Sequence, residues 1–91
     1  MKRPTVKQEM EMLGFTIEQT GGGCTAYTRY AEDGSHLMIT NVNDPTAPTS
    51  LQDSVTIGEY DPKGELKRQR NWENLDRFIF FETRRRKAQT H

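Results

Sequence analysis

The chain has 91 residues, 29% of them charged and 32% hydrophobic, with 13 basic and 13 acidic side chains and a formal net charge of zero. That length fits one domain, residues 1–91, with a thin core that buries roughly 60–65% of the unfolded surface. A single cysteine excludes an internal disulfide, and no apolar run approaches the ~18 residues of a membrane-spanning helix; with no signal-peptide pattern either, the expectation is a soluble, cytoplasmic protein without a membrane partner.

Pro4 opens the first helix, because its missing N–H is not needed in a first turn. Val6, Met10 and Leu13 follow at i, i+4 and i+7, and Gly14 suits the position that stops a helix, so residues 4–13 are predicted helical. Phe15 and Ile17 then alternate with Thr16 and Glu18, a half-buried strand over 15–20. Residues 24–31 alternate as well, with Cys24, Ala26, Thr28 and Tyr30 on one face and Thr25, Tyr27 and Arg29 on the other. Asp33-Gly34 reads as a hairpin turn that pairs Ala31 with His36 and leads into a strand over 36–42.

Residues 43–54 hold two prolines among Asn, Asp, Ser and Thr, and are expected to form a long loop that touches a partner. Val55 and Ile57 point inward from a strand over 55–60, and Asp61-Pro62-Lys63-Gly64 is a tight turn. Residues 65–70 read as a short edge strand guarded by its basic side chains. Asn71 is expected to cap a second helix whose inner stripe is Trp72, Leu75, Phe78, Ile79 and Glu82, although residues 78–81, Phe-Ile-Phe-Phe, also read as a strand. Residues 1–3 and 88–91 are expected to fray. The predicted class is α+β: a four- to five-stranded antiparallel meander with an N-terminal and a C-terminal helix packed on it.

Three glycines, Gly21, Gly22 and Gly23, stand directly before Cys24. A phosphate cradle needs a helix after the glycines, yet the residues that follow alternate like a strand. A reactive thiol needs a base, and His36 falls roughly 20 Å away along a strand at ~3.4 Å per residue. The preferred reading is a reversal between two strands, which requires positive φ. One Cys and two His without ligand spacing make no metal site, and no cofactor motif is present, so no catalytic, metal or cofactor residue is assigned.

Neutrality hides an asymmetry. Residues 1–62 hold 4 basic and 9 acidic side chains, net −5, whereas residues 63–91 hold 9 basic and 4 acidic, net +5. Such a split points to a partner at one pole, or to two poles that attract each other within the fold. The candidate partner-binding residues are Lys67, Arg68, Arg70, Arg84, Arg85, Arg86 and Lys87, with Asp44 and Asp53 on the central loop. A homodimer is compatible with so small a core. The alternative is that the basic residues line phosphates while Trp72 or Tyr27 stacks on bases.

The stretches Gly-Phe-Thr-Ile-Glu-Gln-Thr-Gly-Gly-Gly-Cys-Thr-Ala (14–26), Asp-Gly-Ser-His-Leu-Met-Ile-Thr-Asn (33–41) and Val-Thr-Ile-Gly-Glu-Tyr-Asp-Pro-Lys-Gly (55–64) resemble small accessory proteins of bacteriophages and prophages. The likeness covers about residues 10–64 and leaves 65–91 unmatched. It implies a non-catalytic protein in the host cytoplasm that inhibits or modulates a host protein complex, as anti-CRISPR proteins do.

Overall fold

A computed structural model describes residues 3–89. In chain order it contains α1 (Val6–Met12), β1 (Thr16–Gly21), β2 (Cys24–Tyr30), β3 (His36–Asn41), β4 (Val55–Tyr60), β5 (Leu66–Trp72) and α2 (Leu75–Gln89). The strands lie side by side in the order β1-β2-β3-β4-β5, each neighbouring pair antiparallel. The fold is therefore α+β, a five-stranded meander between two terminal helices.

The pleat assigns odd-numbered positions of β2 to β4 to one face and even-numbered positions to the other, since Tyr27 pairs with Ile39 and Ile39 with Ile57. Both helices pack on the odd face. Its side chains Tyr27, Ile39, Val55 and Ile57 share one core with Met10 and Leu13 from the α1 end and with Leu75, Phe78 and Ile79 of α2. Phe15 is fully buried in that core and meets Phe78 edge to face at 6.0 Å. On the even face Ala26, Thr28 and Gly58 are themselves buried, with the Tyr60 ring lying against Gly58.

α1 begins two residues later than the sequence suggests. Thr5 is the N-cap, accepting from the Gln8 backbone while the Gln8 side chain accepts from the Thr5 N–H, and Pro4 stands outside. At the other end the Gly14 N–H donates to Glu11 and the Phe15 N–H to Met10, a Schellman arrangement that turns the chain straight into β1. Arg3, expected to fray, donates to Glu9 and Asp76 and ties the N-terminus to α2. α2 runs on through Gln89, past the predicted end; residues 1, 2, 90 and 91 of the expected frayed ends lie outside the described residues.

The turn at Asp33-Gly34 differs from the expectation. Tyr30, not Ala31, pairs with His36. The Gly34 N–H bonds the Ala31 carbonyl and the Ala31 N–H bonds the Ser35 carbonyl, so the loop has three residues. A two-residue Asp-Gly turn needs positive φ at both positions; here Gly34 alone has it, at 93°, and no non-glycine residue does. Asp33 instead accepts from the Ser35 N–H and hydroxyl, bonds that hold its carboxyl below the usual carboxylate range. The Asp61–Glu65 turn repeats the same pattern, and the Glu65 N–H lowers Asp61 in the same way.

The loop over 43–54 is irregular, as predicted, and packs on the rest of the chain. Ala47 and Pro48 are buried, and the Ala47 N–H donates to Thr25 Oγ1. The Leu51 and Asp53 carbonyls accept from Asp76 and Leu75, satisfying donors in the first turn of α2. The loop roofs one end of the core and seats the helix.

Candidate binding groove

β5 is longer than the sequence suggests, and this places the site. It extends through Trp72, with Asn71 paired to Thr56 and accepting from its hydroxyl at 2.8 Å. Asn71 is therefore a strand residue. The helix cap is Asn74, whose Oδ1 accepts from the Arg77 N–H at 2.8 Å. Residues 78–81 are helical, and Trp72 is not part of the helix. Its indole still reaches α2, lying 5.9 Å from the Phe78 ring and 5.5 Å from Phe81.

Arg68 and Arg70 alternate with Trp72 along β5, so all three project to the helix side of the sheet. α2 leaves the β4–β5 corner of that side open. The result is a groove of about 340 Å³ with Leu37 and Ile57 in its floor, Trp72, Phe78 and Phe81 as apolar walls, and Arg68, Arg70 and Arg85 about it. Phe81 is 49% exposed, which leaves half of one wall uncovered.

Beneath the groove lies a charge cluster that fixes α2 on the sheet. Glu82 is only 3% exposed. Its carboxylate accepts from Arg29 Nη2 at 2.6 Å and from Arg85 Nε and Nη2 at 2.9 and 3.0 Å. Burial alone would raise the Glu82 carboxyl; the hydrogen bonds from Arg85 and Arg29 outweigh it and hold the group below the usual range. Arg29 also donates to the Leu13 carbonyl at 2.9 Å and lies over the Phe15 ring at 4.7 Å, so one guanidinium links β2, α2 and the end of α1.

The seven basic candidates do not form one field. Arg68, Arg70 and Arg85 meet in the groove. Lys67 sits at the hairpin, 3.5 Å from Asp61 and 3.6 Å from Glu65. Arg84 lies over Phe80 on another side of α2, Arg86 donates to the Leu13 carbonyl, and Lys87 lines a cleft beside α1. Arg68 pairs loosely with Glu59 at 3.6 Å, and Arg85 is committed to Glu82. Arg70 has no carboxylate within 4.0 Å among the described residues and faces the groove unpaired. The acidic candidates lie elsewhere: Asp53 accepts from the Thr49 and Ser50 N–H groups as a turn residue, and exposed Asp44 borders a polar hollow with Asn41 and Gln52.

Gly21 to Gly23 make the reversal between β1 and β2. Gly21 pairs with Cys24, all three have positive φ, and β2 follows at once with no helix. Cys24 and His36 stand at opposite ends of the sheet, since His36 pairs with Tyr30. Among the described residues no three His, Cys, Asp or Glu side chains gather as a metal site, and no helix is long and apolar enough to cross a membrane. The sequence does not single out Arg29, Glu82 or Phe81 for the site; the period-two spacing of Arg68, Arg70 and Trp72 is a signal for the β5 side of it, hidden by assigning Trp72 to the helix.

Fold and groove together define a two-layer α+β protein with a charged, aromatic-walled cleft on its helix side. No family model, curated protein or solved structure matches the chain.

Proposed function

We propose that the protein is a small binding module that acts without catalysis, seating a segment of a protein partner in the groove between β5 and α2. The observation that carries this is Arg70, an unpaired guanidinium beside half-exposed Phe81 and the Trp72 indole. Arg and Trp dominate the energetics of protein interfaces, where an aromatic wall excludes water and strengthens a guanidinium–carboxylate bond. The matching segment offers an apolar side chain for the slot and a carboxylate for Arg70. Phosphates fit less well, because Glu59 and Glu82 share the groove and the other basic residues face away from it. The resemblance to phage accessory proteins adds that the partner belongs to a host complex, which the protein inhibits or modulates.

Capture from bacterial lysate tests the reading. The wild-type chain retains a partner that Arg70→Glu and Phe81→Ser each lose, with a weakening of about 30-fold or more as for a hot-spot residue. Trp72 is the only tryptophan, so its emission reports occupancy of the groove. Capture that survives both substitutions removes the groove as the site. Retention of DNA with a steep salt dependence returns the nucleic-acid alternative.

A further inference from the structure

β5 is the last strand of the sheet and pairs with β4 alone. Its residues 66–71 are all exposed, and among the described residues no turn, loop or helix backbone group bonds to it. Which of its own backbone groups point outward follows from the ladder. The Val42 N–H bonds the Ser54 carbonyl, and the Asp61 N–H bonds the Glu65 carbonyl. Even positions of β4 therefore bond β3, and odd positions bond β5. Val55 and Ile57 stand opposite Trp72 and Arg70, so those two pairs are the hydrogen-bonded ones. The N–H and carbonyl groups of Gln69 and Asn71 then face away from the sheet.

An open edge is a template for pairing with another chain. Its charge decides which chain. β5 carries Lys67, Arg68 and Arg70 and no acidic side chain. Two such edges laid together set cations against cations, which is unfavourable for side chains opposed across strands. A second copy is therefore turned away, whereas an acidic strand is attracted. β1, the other open edge, reads Thr-Ile-Glu-Gln-Thr-Gly and has Glu18 as its single charge, so it offers an acidic strand no counter-charge.

From the outward backbone groups and the uniform charge we infer that β5 accepts a sixth, antiparallel strand, an extended acidic segment of the partner; this rests on the groove being the binding site. In strand addition the main chain supplies affinity and alternate side chains supply specificity. Partner residues opposite Gln69 and Asn71 exchange backbone bonds with them. Those opposite Arg68, Arg70 and Trp72 point to the helix side, with Cβ atoms about 5 Å from their neighbours on β5. One carboxylate meets Arg70, which has no other within 4.0 Å among the described residues, and a second meets Arg68, held only loosely by Glu59 at 3.6 Å. An apolar side chain covers the Trp72 indole. Along its own direction the segment reads apolar-x-acidic-x-acidic. Pairing ends beyond Arg68, because Lys67 is skipped in the register with β4 and the edge bends there.

The probe is an acetylated, amidated peptide, Thr-Leu-Thr-Glu-Thr-Glu-Thr, titrated against the emission of Trp72. Saturable binding below about 1 mM is expected, weakened at least about tenfold by Arg70→Glu. N-methylation of the third and fifth residues, which face Asn71 and Gln69, removes donors to β5 and is expected to weaken binding at least about tenfold. N-methylation of the two glutamates, whose N–H groups face solvent, is expected to leave it within about twofold. Gln69→Pro gives the same loss from the protein side, since proline is tolerated where an edge N–H faces out. Circular dichroism shows whether that variant folds; if it does not, the methylated peptides decide. Two methylated peptides that bind alike, with Arg70→Glu still damaging, overturn strand addition and leave the groove in place. Binding that Arg70→Glu does not weaken removes the groove itself. A peptide that fails to bind at about 1 mM also overturns strand addition, and capture from lysate then decides the groove.

Discussion

Glu82 is the side chain on which the position of α2 depends, and Glu82→Gln keeps its shape while removing its charge. Breaking a buried ion pair by removing one partner costs about 3–5 kcal/mol, because the other charge stays buried. Arg29 is the stranded partner here, with 21% of its side chain exposed, while Arg85 at 44% turns to water. Partial solvation brings the expected loss down to about 2–3 kcal/mol. A 91-residue domain has about 5–13 kcal/mol in all, so the change is large. In urea the midpoint is expected to fall by about 2 M at unchanged slope, and the melting temperature by about 10–20 °C. Arg85→Gln is expected to cost no more than about 1 kcal/mol. Replacing both charges, Arg29→Met with Glu82→Met, recovers most of the loss, since Arg86 still satisfies the Leu13 carbonyl. A Glu82→Gln variant within about 0.5 kcal/mol of wild type, or an Arg85→Gln variant as damaged as Glu82→Gln, refutes this account of the cluster.

The same carboxylate sets an acid dependence. Its folded-state value lies below the ordinary 4.5, so its contribution is complete above that pH and is lost as pH falls through the depressed value; urea midpoints of wild type and Glu82→Gln therefore converge on acidification. Thr28 gives a change of opposite sign. Its hydroxyl is buried without a hydrogen-bond partner among the described residues, so Thr28→Val, which keeps the β-branch, is expected to stabilise the fold by about 1 kcal/mol in the same titration.

The meander was legible because period-two alternation survives in β2, β3 and β4, and because glycine marks the reversals between β1 and β2, β2 and β3, and β4 and β5. The β5–α2 junction was not. Residues 66–71 are all exposed, so burial leaves no alternating pattern there. Trp72, the last inward residue of the strand, falls three residues before Leu75, the first inward residue of the helix, and the two mimic a single helical stripe. Two asparagines then compete for one cap, and Asn71 loses because its amide oxygen is taken by Thr56. Glu82 was legible as an inward position but not as an ion pair, since Arg29 lies 53 residues away and only the folded sheet brings them together.

The opposed charges of the two halves resolve within the fold. Lys67 and Arg68 are drawn to Asp61 and Glu59 of the N-terminal half, while Arg3 and Arg29 of that half bind Asp76 and Glu82. Among the described residues these pairs leave Arg70 with no carboxylate within 4.0 Å, so the asymmetry of the sequence persists in the groove as that one guanidinium, beside the Trp72 and Phe81 walls where a partner carboxylate would meet it out of water.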